Sequence, residues 1–339
     1  MAKLQVDHGS RPLSGAVALV AGATRGAGRG IARALGEAGA TVYCTGRSAR
    51  GRPSPYRRPE TIEETADIIT AAGGKAVALR VDHAIEAEVA ALLERIERDE
   101  GKLDVLVNSI AGEDPMMGGW APLWQADLMN AEALLRHALL SRITTAKHAA
   151  RLMVRRRRGF IAEVTENDLL FSSGDIVTQM LRFAHKALAT LYAAELRRHD
   201  VVAVAITPGF MRSERMLEHF GVTEENWREG ERKDRNFLES ESPFFVGRAI
   251  VALASDPSIR ERTGQLFSSW EVAREYGLTD LDGRRPDWGK LDIDYSQVPK
   301  SILHAIEDAT EIQARWLELL SKRTTTFRAA FLMQTAGLR

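Results

Sequence analysis

The chain alternates short apolar runs with segments of helical periodicity. Residues 16–22 form an apolar run that ends in glycine, as buried parallel strands do, and the helical segment after it stops at Gly39. The same alternation recurs as far as an apolar run that ends at Thr207. Strands that alternate with helices of this length predict an α/β fold, a doubly wound parallel sheet with helices on both faces.

The pattern changes near residue 271, where the alternation of strand and helix stops. Farther along, apolar residues fall on one stripe of a helical segment; they are Ile302, Ile306, Ala309, Trp316, Leu319 and Leu320. The sequence therefore predicts a sheet domain at residues 1–270 and a largely helical C-terminal extension at residues 271–339. We expect the helix from about Val298 onward to dock on the domain or on a neighbouring subunit, and we expect a homo-oligomer.

Composition and charge exclude several classes of function. The hydrophobic share is 45% and the charged share is 27%, which is ordinary for a globular protein, and 46 basic side chains balance 46 acidic ones. Without a net field or a long apolar run, the chain is predicted to bind neither nucleic acid nor a membrane. One cysteine fits a reducing compartment, so a soluble cytoplasmic protein is expected. The histidines show no metal-ligand spacing, so no metal site is predicted.

Glycines follow the first predicted strand and open directly into a helix. In the segment AGATRGAGRG, Gly22, Gly26 and Gly28 let the backbone turn tightly and approach a pyrophosphate. The N–H groups and the dipole of the helix N-terminus would then hold the phosphates. The position of this segment between a strand and a helix favours a dinucleotide site over an ordinary turn.

The spacing Gly-x-x-x-Gly-x-Gly resembles that of the short-chain dehydrogenase/reductase family, and three later motifs agree with it. Asp82 ends the third predicted strand, where the family contacts adenine. The segment LVNSIAG at residues 106–112 is similar to the family's Asn-Asn-Ala-Gly motif, and TPGFMRS at residues 207–213 is similar to its nicotinamide loop. The resemblance spans about residues 16–270 and implies a Rossmann-like dinucleotide-binding domain, without specifying the reaction.

The charge after the second predicted strand indicates the type of cofactor. NAD-selective loops place a carboxylate there for the ribose 2′-hydroxyl, whereas this strand ends in CTGRS, with Arg47 and no acid. Arg25 lies inside the glycine loop, and two guanidiniums can converge on a 2′-phosphate. NADP(H) is therefore the predicted cofactor. The residues expected to bind it are Gly22, Thr24, Arg25, Gly26, Ala27, Gly28, Arg47, Asp82, His83, Asn108, Ser109, Arg182, Pro208, Gly209 and Ser213. The other arginines of the basic segment at residues 47–60 form a flexible loop or close over the adenosine.

The residues that transfer the proton in this family are missing. The resemblance implies a Ser, a Tyr and a Lys four residues beyond the Tyr, where the Lys lowers the pKa of the phenol from about 10. Alignment without gaps from the Pro-Gly motif puts Thr165, Thr178 and Arg182 at these positions. The family's assisting Asn falls near Ala138, and no other register restores the set. A threonine hydroxyl is too weakly acidic to replace a phenol, and arginine stays protonated.

Other nearby groups are candidates for the missing acid or base. Glu163, Glu166 and Asp168 lie near the end of the fifth predicted strand, and each also fits a solvated or helix-capping role. His185 lies on the following helix, where a surface position is the expectation. The predicted catalytic set is non-standard and consists of Thr165, Thr178, Arg182 and Glu166. In this set the guanidinium holds the ribose and polarises a carbonyl oxygen.

Three functions remain open at this point. The favoured interpretation is an atypical short-chain dehydrogenase/reductase-like oxidoreductase that uses NADP(H) on a carbonyl or alcohol. A second is a non-redox enzyme on this scaffold, such as a dehydratase, isomerase or cyclase, and a third is a catalytically silent NADP-binding protein. Met, Trp and Phe in the segments after the fourth and sixth predicted strands suggest a small-molecule substrate with an apolar part.

Overall fold

Parallel strands form where the apolar runs of the sequence can be covered on both faces. The computed structural model describes residues 11–53, 58–111, 122–166 and 175–290. Its strands are β1 (Val17–Ala21), β2 (Thr41–Gly46), β3 (Lys75–Arg80), β4 (Val105–Asn108), β5 (Gly159–Val164), β6 (Val201–Thr207) and β7 (Leu266–Ser268). They make one parallel sheet in the order β3-β2-β1-β4-β5-β6-β7, which confirms the predicted fold class.

Helices connect these strands and cover both faces of the sheet. They are α1 (Gly26–Glu37), α2 (Ile62–Ala71), α3 (Glu86–Glu100), α4 (Ala131–Leu135), α5 (Ser141–Arg156), α6 (Ile176–Leu196), α7 (Glu214–Phe220), α8 (Pro243–Ser255) and α9 (Ser269–Tyr276). The long helix predicted at residues 131–156 is divided by a π-helical turn, Arg136–Leu140, between α4 and α5. Thr61 and Glu64 form a capping box that satisfies backbone N–H groups at the start of α2.

The two faces of the sheet have separate hydrophobic cores, because side chains alternate along a strand. On β1, Ala18 and Val20 belong to the core that contains residues of α1 and α8. Val17 and Leu19 belong to the core that contains residues of α3 and α5. Fully burying a Val or Leu side chain stabilises a fold by roughly 1.5–3 kcal/mol. Burial on both faces therefore stabilises β1 and fixes the position of the glycine loop that follows it.

The carboxyl ends of the central strands lie level at one edge of the sheet. Ala21 at the end of β1 pairs with Asn108 at the end of β4, and Asn108 pairs with Glu163 near the end of β5. The strand order reverses between β1 and β4, and at such a switch point the loops diverge and leave a crevice. The loops after β1, β4, β5 and β6 surround this place.

The predicted domain boundary at residue 270 falls within a helix. α9 begins at Ser269, and its residues Val272 and Ala273 are buried in the core that also contains residues of α8. Residues 271–276 therefore pack with the sheet domain. The helix expected from about residue 298 lies outside the described residues and stays a prediction. Within the ranges that the structure describes, no helix is both long and apolar enough to cross a membrane.

Candidate cofactor and active site

The loops that follow the strands enclose a large cleft. Its volume is about 730 Å³, and it lies at the carboxyl edge of the sheet. Most residues predicted for the site line it: Gly22, Thr24, Arg25, Gly26, Ala27, Arg47, Asp82, His83, Ser109, Thr165, Glu166, Arg182, Pro208 and Ser213. The structure thus gathers residues from loops that are far apart in the sequence.

Four predicted residues support the cleft without lining it. Gly28 lies behind the glycine loop, where an added Cβ would be 2.0 Å from a carbonyl oxygen of that loop. Glycine is therefore required for the close approach of α1 to the loop. Asn108 and Thr178 are buried, with 0% and 1% of their surface exposed. Gly209 donates its backbone N–H to a buried carboxylate, Glu241, at 3.0 Å.

The glycine loop has the backbone geometry that a pyrophosphate needs. Gly22 has a φ of 89° and Gly26 a φ of 53°, a left-handed conformation that favours glycine. A Cβ at Gly22 would lie 2.3 Å from the carbonyl oxygen of Ser109 in the loop after β4. Glycine is therefore required at this position for the loop after β4 to pack against the glycine loop.

The N-terminus of α1 binds an anion of the protein itself. Its N-cap, Arg25, makes no side-chain cap, and its first turn carries no acidic residue. The backbone N–H of Gly26 donates to Oε2 of Glu214, 2.8 Å away at the start of α7. A carboxylate therefore lies where the helix N-terminus would hold a phosphate oxygen. By this test the residues of the loop fit the phosphates of a dinucleotide.

Six arginines line the cleft, and the three that precede α2 in the chain are Arg25, Arg47 and Arg58. Arg58 contacts two carboxylates, Glu60 at 2.5 Å and Glu218 at 2.8 Å. Burial is the largest influence on the pKa of Glu60 and raises it, but the hydrogen bond and charge of Arg58 and a backbone hydrogen bond together outweigh burial, and the pKa is lowered. Glu60 is therefore ionised at neutral pH, and Arg58 joins the segment before α2 to α7.

Asp82 and His83, which follow β3, are both held by the protein. Oδ1 of Asp82 accepts the backbone N–H of Ala84 at 3.0 Å. The His83 ring lies between the hydroxyls of Thr45 and Thr145, at 2.9 and 2.8 Å. Burial lowers the pKa of His83 to about 4, so the ring is neutral at pH 7. Its side chain braces β2 against α5.

Three residues of the predicted catalytic set, Thr165, Glu166 and Arg182, line another part of the cleft, and Thr178 is buried behind them. Thr165 follows β5 and Thr178 lies in the first turn of α6; their exposed fractions are 3% and 1%. Neither threonine hydroxyl has a hydrogen-bond partner among the described residues. Nε of Arg182 lies 2.6 Å from Oε2 of Glu166. Since buried hydroxyls without partners are rare, Thr165 in the cleft lining is suited to bond a ligand. Asp168, the remaining candidate, lies outside the described residues.

A buried ion pair at this end of the cleft, one member of which lines it, was missed by the sequence reasoning. Arg142 on α5 lies 3.1 Å from Glu163 on β5, and the Asn108 side chain donates to the same carboxylate at 2.6 Å. Arg142 also donates to the carbonyl oxygens of Ile110 and Val164, at 2.8 and 3.0 Å. Burial raises the pKa of Glu163, and the charge of Arg142 opposes the shift. Glu163 is therefore neither solvated nor a helix cap. One signal could have found the pair, an arginine on an otherwise apolar stripe of α5.

The expectation that His185 lies at the surface is wrong. It is 4% exposed, and its Nε2 lies 2.9 Å from the carbonyl oxygen of Ala138 in the π-helical turn. Burial, followed by the positive charge of Arg142, lowers the pKa of His185 well below its usual value. The ring is therefore neutral and cannot act as an imidazolium acid at pH 7. The reason is tertiary, since α6 packs this face against the turn at residues 136–140.

The aromatic residues after β6 pack mainly on one another. Phe220 stacks on Phe237 with ring centroids 3.9 Å apart, and Phe210 meets both rings edge-on. Two apolar residues of this segment, Pro208 and Met211, line the cleft. The expected apolar wall is therefore smaller than the aromatic content of the segment suggested. Of residues 113–124, the other segment considered for this wall, the structure describes only residues 122–124, where Leu123 and Trp124 are 72% and 83% exposed.

The strand order and the glycine loop at its switch point define a dinucleotide-binding α/β protein, and a family model of short chain dehydrogenases matches residues 16–221. The chain belongs to the short-chain dehydrogenase/reductase family. It is 36% identical over 300 residues to Dehydrogenase/reductase SDR family member 1 of Mus musculus, covering 85% of this chain and 90% of that protein. The Homo sapiens protein of the same name is 35% identical over 285 residues, covering 80% and 85%.

Solved structures share the fold. A hydroxysteroid dehydrogenase from Escherichia coli has a TM-score of 0.61 at 20% identity, covering 77% of this chain and 98% of its own. A metagenomic short-chain oxidoreductase, solved in complex with NADP, has a TM-score of 0.54 at 24% identity, covering 72% and 93%. At these identities the likeness shows the fold and not the reaction. Within the described part of this chain, no group of three or more His, Cys, Asp or Glu residues could hold a metal ion.

Proposed function

We propose that the protein is an NADP(H)-dependent oxidoreductase that acts on the carbonyl or alcohol group of a small molecule. The observation that carries this proposal is the anion-accepting glycine loop, in which the Gly26 N–H donates to a carboxylate oxygen at 2.8 Å. The loop lies at the switch point of the sheet, where dinucleotides bind in such folds. Membership of a family that binds nicotinamide cofactors supports the same conclusion.

Two guanidiniums support NADP(H) over NAD(H). Arg25 and Arg47 line the same cleft, and the chain continues from Gly46 into Arg47 and Ser48 with no carboxylate. A 2′-phosphate between the two arginines would accept charge-assisted hydrogen bonds from both. A structural neighbour, the metagenomic oxidoreductase, was itself solved with NADP.

The proposed reaction takes place beside Arg182. When bound, a reduced nicotinamide supplies a hydride to the carbonyl carbon of the substrate, and the carbonyl oxygen must then gain a proton. The Arg182 guanidinium and the Thr165 hydroxyl can donate hydrogen bonds to that oxygen as negative charge develops on it. The Glu166 carboxylate, 2.6 Å from Arg182, is the proposed acceptor of the proton when an alcohol is oxidised, and in the reverse reaction it would pass a proton taken from solvent to the oxygen.

The same end of the cleft favours a second candidate function. Thr178 and Arg182 stand where the resemblance expects Tyr and Lys, and the nearest tyrosine of α6, Tyr192, has its pKa raised by burial. Among the residues that the structure describes, no tyrosine lines the cleft, so the scaffold could serve a non-redox reaction such as dehydration, isomerisation or cyclisation. Binding of NADP(H) without catalysis is the remaining alternative.

Calorimetric titration of the native protein with NADPH and NADH tests the cofactor proposal. NADPH should bind more tightly, and Arg47→Ala should narrow the difference between the two by roughly 1–3 kcal/mol, the scale of a charged hydrogen bond. Arg50→Ala is the matched control, because Arg50 is 63% exposed and pairs with Asp67. Equal affinities for the two dinucleotides would overturn the proposed selectivity, and failure to bind either would overturn the cofactor itself.

The proposal also covers the cellular compartment, the oligomeric state and the type of substrate. Cys44 is free and buried, which fits a reducing compartment and supports a cytoplasmic protein. Apolar side chains exposed along α6 support a homo-oligomer. Pro208 and Met211 in the cleft lining support a substrate with an apolar part.

A further inference from the structure

Two carboxylates on one face of helix α7 join it to the glycine loop and to Arg58 in the cleft lining. Glu214 and Glu218 lie four residues apart, so they project from the same side of the helix. Oε2 of Glu214 accepts the Gly26 N–H at 2.8 Å, and Oε1 lies 3.4 Å from Nη1 of Arg29. The two oxygens of Glu218 each accept from Arg58 at 2.8 Å.

These contacts hold the segment before α7 directly over the glycine loop. A Cβ added at Gly26 would meet Cβ of Ser213 at 3.7 Å and Cε of Met211 at 4.0 Å. Side-chain exposure is 26% for Glu214 and 62% for Glu218, so the first contact is the more enclosed. The Gly26 N–H belongs to the loop that would receive the pyrophosphate, and one N–H cannot donate fully to two anions.

We infer that Glu214 is an affinity-determining residue of the cofactor site, because its carboxylate occupies the phosphate position at α1. Glu214 and Glu218 together form a latch, a pair of contacts that holds α7 over the cleft. A bound dinucleotide displaces both carboxylates. This inference rests on the proposed function, since it supposes that phosphates bind at the glycine loop. Two carboxylates beside incoming phosphates add like-charge repulsion, which strengthens as the site closes. The latch therefore weakens cofactor binding and couples it to release of α7, which directly follows the proposed nicotinamide loop.

The test is the affinity of full-length protein for NADPH, ADP-ribose and adenosine, measured by calorimetric titration at fixed ionic strength. Glu214→Gln should lower the Kd of NADPH and ADP-ribose about tenfold, because a neutral acceptor holds the Gly26 N–H less strongly than a carboxylate. Adenosine carries no phosphate, so its Kd should not change. Glu218→Gln should tighten NADPH binding by a smaller factor, because Glu218 is more exposed.

Two further variants keep the result interpretable. Glu231→Gln removes the same charge from an exposed position and should leave every Kd unchanged. Glu214→Asp keeps the charge on a side chain one methylene shorter, and it should tighten binding less than Gln does. Thermal unfolding of each variant establishes that the fold is retained.

The outcomes separate this inference from the cofactor proposal. If the Kd of NADPH for native protein is equal to or lower than its Kd for Glu214→Gln, the latch inference is wrong. The proposed function is not affected by that result. If neither native protein nor the Glu214→Gln variant binds NADPH or ADP-ribose, both proposals fall. If Glu214→Gln lowers the Kd of adenosine as much as that of NADPH, Glu214 acts on the opening of the cleft alone. This result would overturn the inference that Glu214 competes with phosphate.

Discussion

At the scale of single residues, acid strength distinguishes this site from one built on a tyrosine. A phenol has a pKa near 10 that a neighbouring cation can lower, whereas a threonine hydroxyl does not ionise in this range and arginine stays protonated. Thr165 and Arg182 can hold a substrate oxygen, but neither can exchange a proton with it. Proton transfer must therefore come from another group, for which we propose Glu166, or the reaction is not a reduction.

Installing the missing pair should raise redox activity. The double variant Thr178→Tyr with Arg182→Lys should reduce an activated ketone with NADPH about 10²–10⁴-fold faster than the native protein, which is the usual gain from general acid catalysis. Loss of NADPH absorbance at saturating ketone measures the rate. Thr178 is 1% exposed, so thermal unfolding must show that the larger side chain is accommodated.

Single variants serve as controls for this prediction. Tyr without Lys keeps a high pKa, and Lys without Tyr supplies no phenol, so each single change should gain much less than the pair. Glu166→Gln should reduce activity on the true substrate steeply while the Kd of NADPH stays the same. The assignment of the whole set would be contradicted if the native protein reduces ketones rapidly and substitutions at Thr178, Arg182 and Glu166 do not change that rate.

At the scale of elements, α6 has two faces with different roles. One face buries Thr178, Leu181 and His185. The other leaves Ile176, Met180 and Phe183 exposed at 45%, 48% and 44%, and their spacing places them on one side of the helix. An exposed apolar stripe of this kind favours a protein–protein contact over solvent.

We expect a second copy of the chain on this stripe. Met180→Glu with Phe183→Glu should lower the oligomeric mass to that of a monomer, because two charges would be buried without partners in the interface. Light scattering after size-exclusion chromatography measures the mass. Leu281→Glu, at a position that is 47% exposed beyond α9, is the matched control and should leave the mass unchanged. A native protein that is already monomeric would contradict the expectation.

At the scale of the whole molecule, Glu241 joins three parts of the chain. Its Oε2 accepts the Gly209 N–H at 3.0 Å and the Ser269 hydroxyl at 2.5 Å. It therefore links the loop after β6, the residue pair before α8 and the start of α9. Burial raises the pKa of Glu241 from 4.5 to about 8, and its hydrogen bonds only partly offset that shift.

The raised pKa predicts a particular dependence of stability on pH. The unfolded chain releases the Glu241 proton above about pH 4.5, whereas the folded protein keeps it until about pH 8. The folded state binds more protons in this window, so the free energy of unfolding should fall as pH rises through it, by at most about 1.4 kcal/mol per pH unit, and level off above it.

The variant Glu241→Gln isolates this effect, because an amide does not titrate. Denaturant unfolding of native and variant protein across the window should give a difference in free energy that changes with pH and becomes constant above about pH 8. Glu239→Gln, at a neighbouring exposed position, should show no such change. A difference that stays constant across the window would mean that Glu241 is ionised in the folded protein.

The sequence by itself determined the sheet and the position of the cofactor loop. Apolar runs predicted six of the seven parallel strands, β1 to β6, and helical periodicity predicted the elements between them, because both patterns are local. The left-handed φ of Gly22 and Gly26 is a local requirement of the same kind. Even the extent of the long helix at residues 131–156 could be predicted, whereas its π-helical turn could not.

Which charged groups meet was decided by the tertiary structure alone. Gly26 and Glu214 are separated by 188 residues, Arg58 and Glu218 by 160, and no periodicity links residues that far apart. Burial is equally a property of the folded molecule. His185 is neutral because α6 packs it against another helix, and Glu241 keeps its proton because surrounding elements exclude water from it. Charge, pKa and contact depend on distances in space, which a pattern along the chain does not contain.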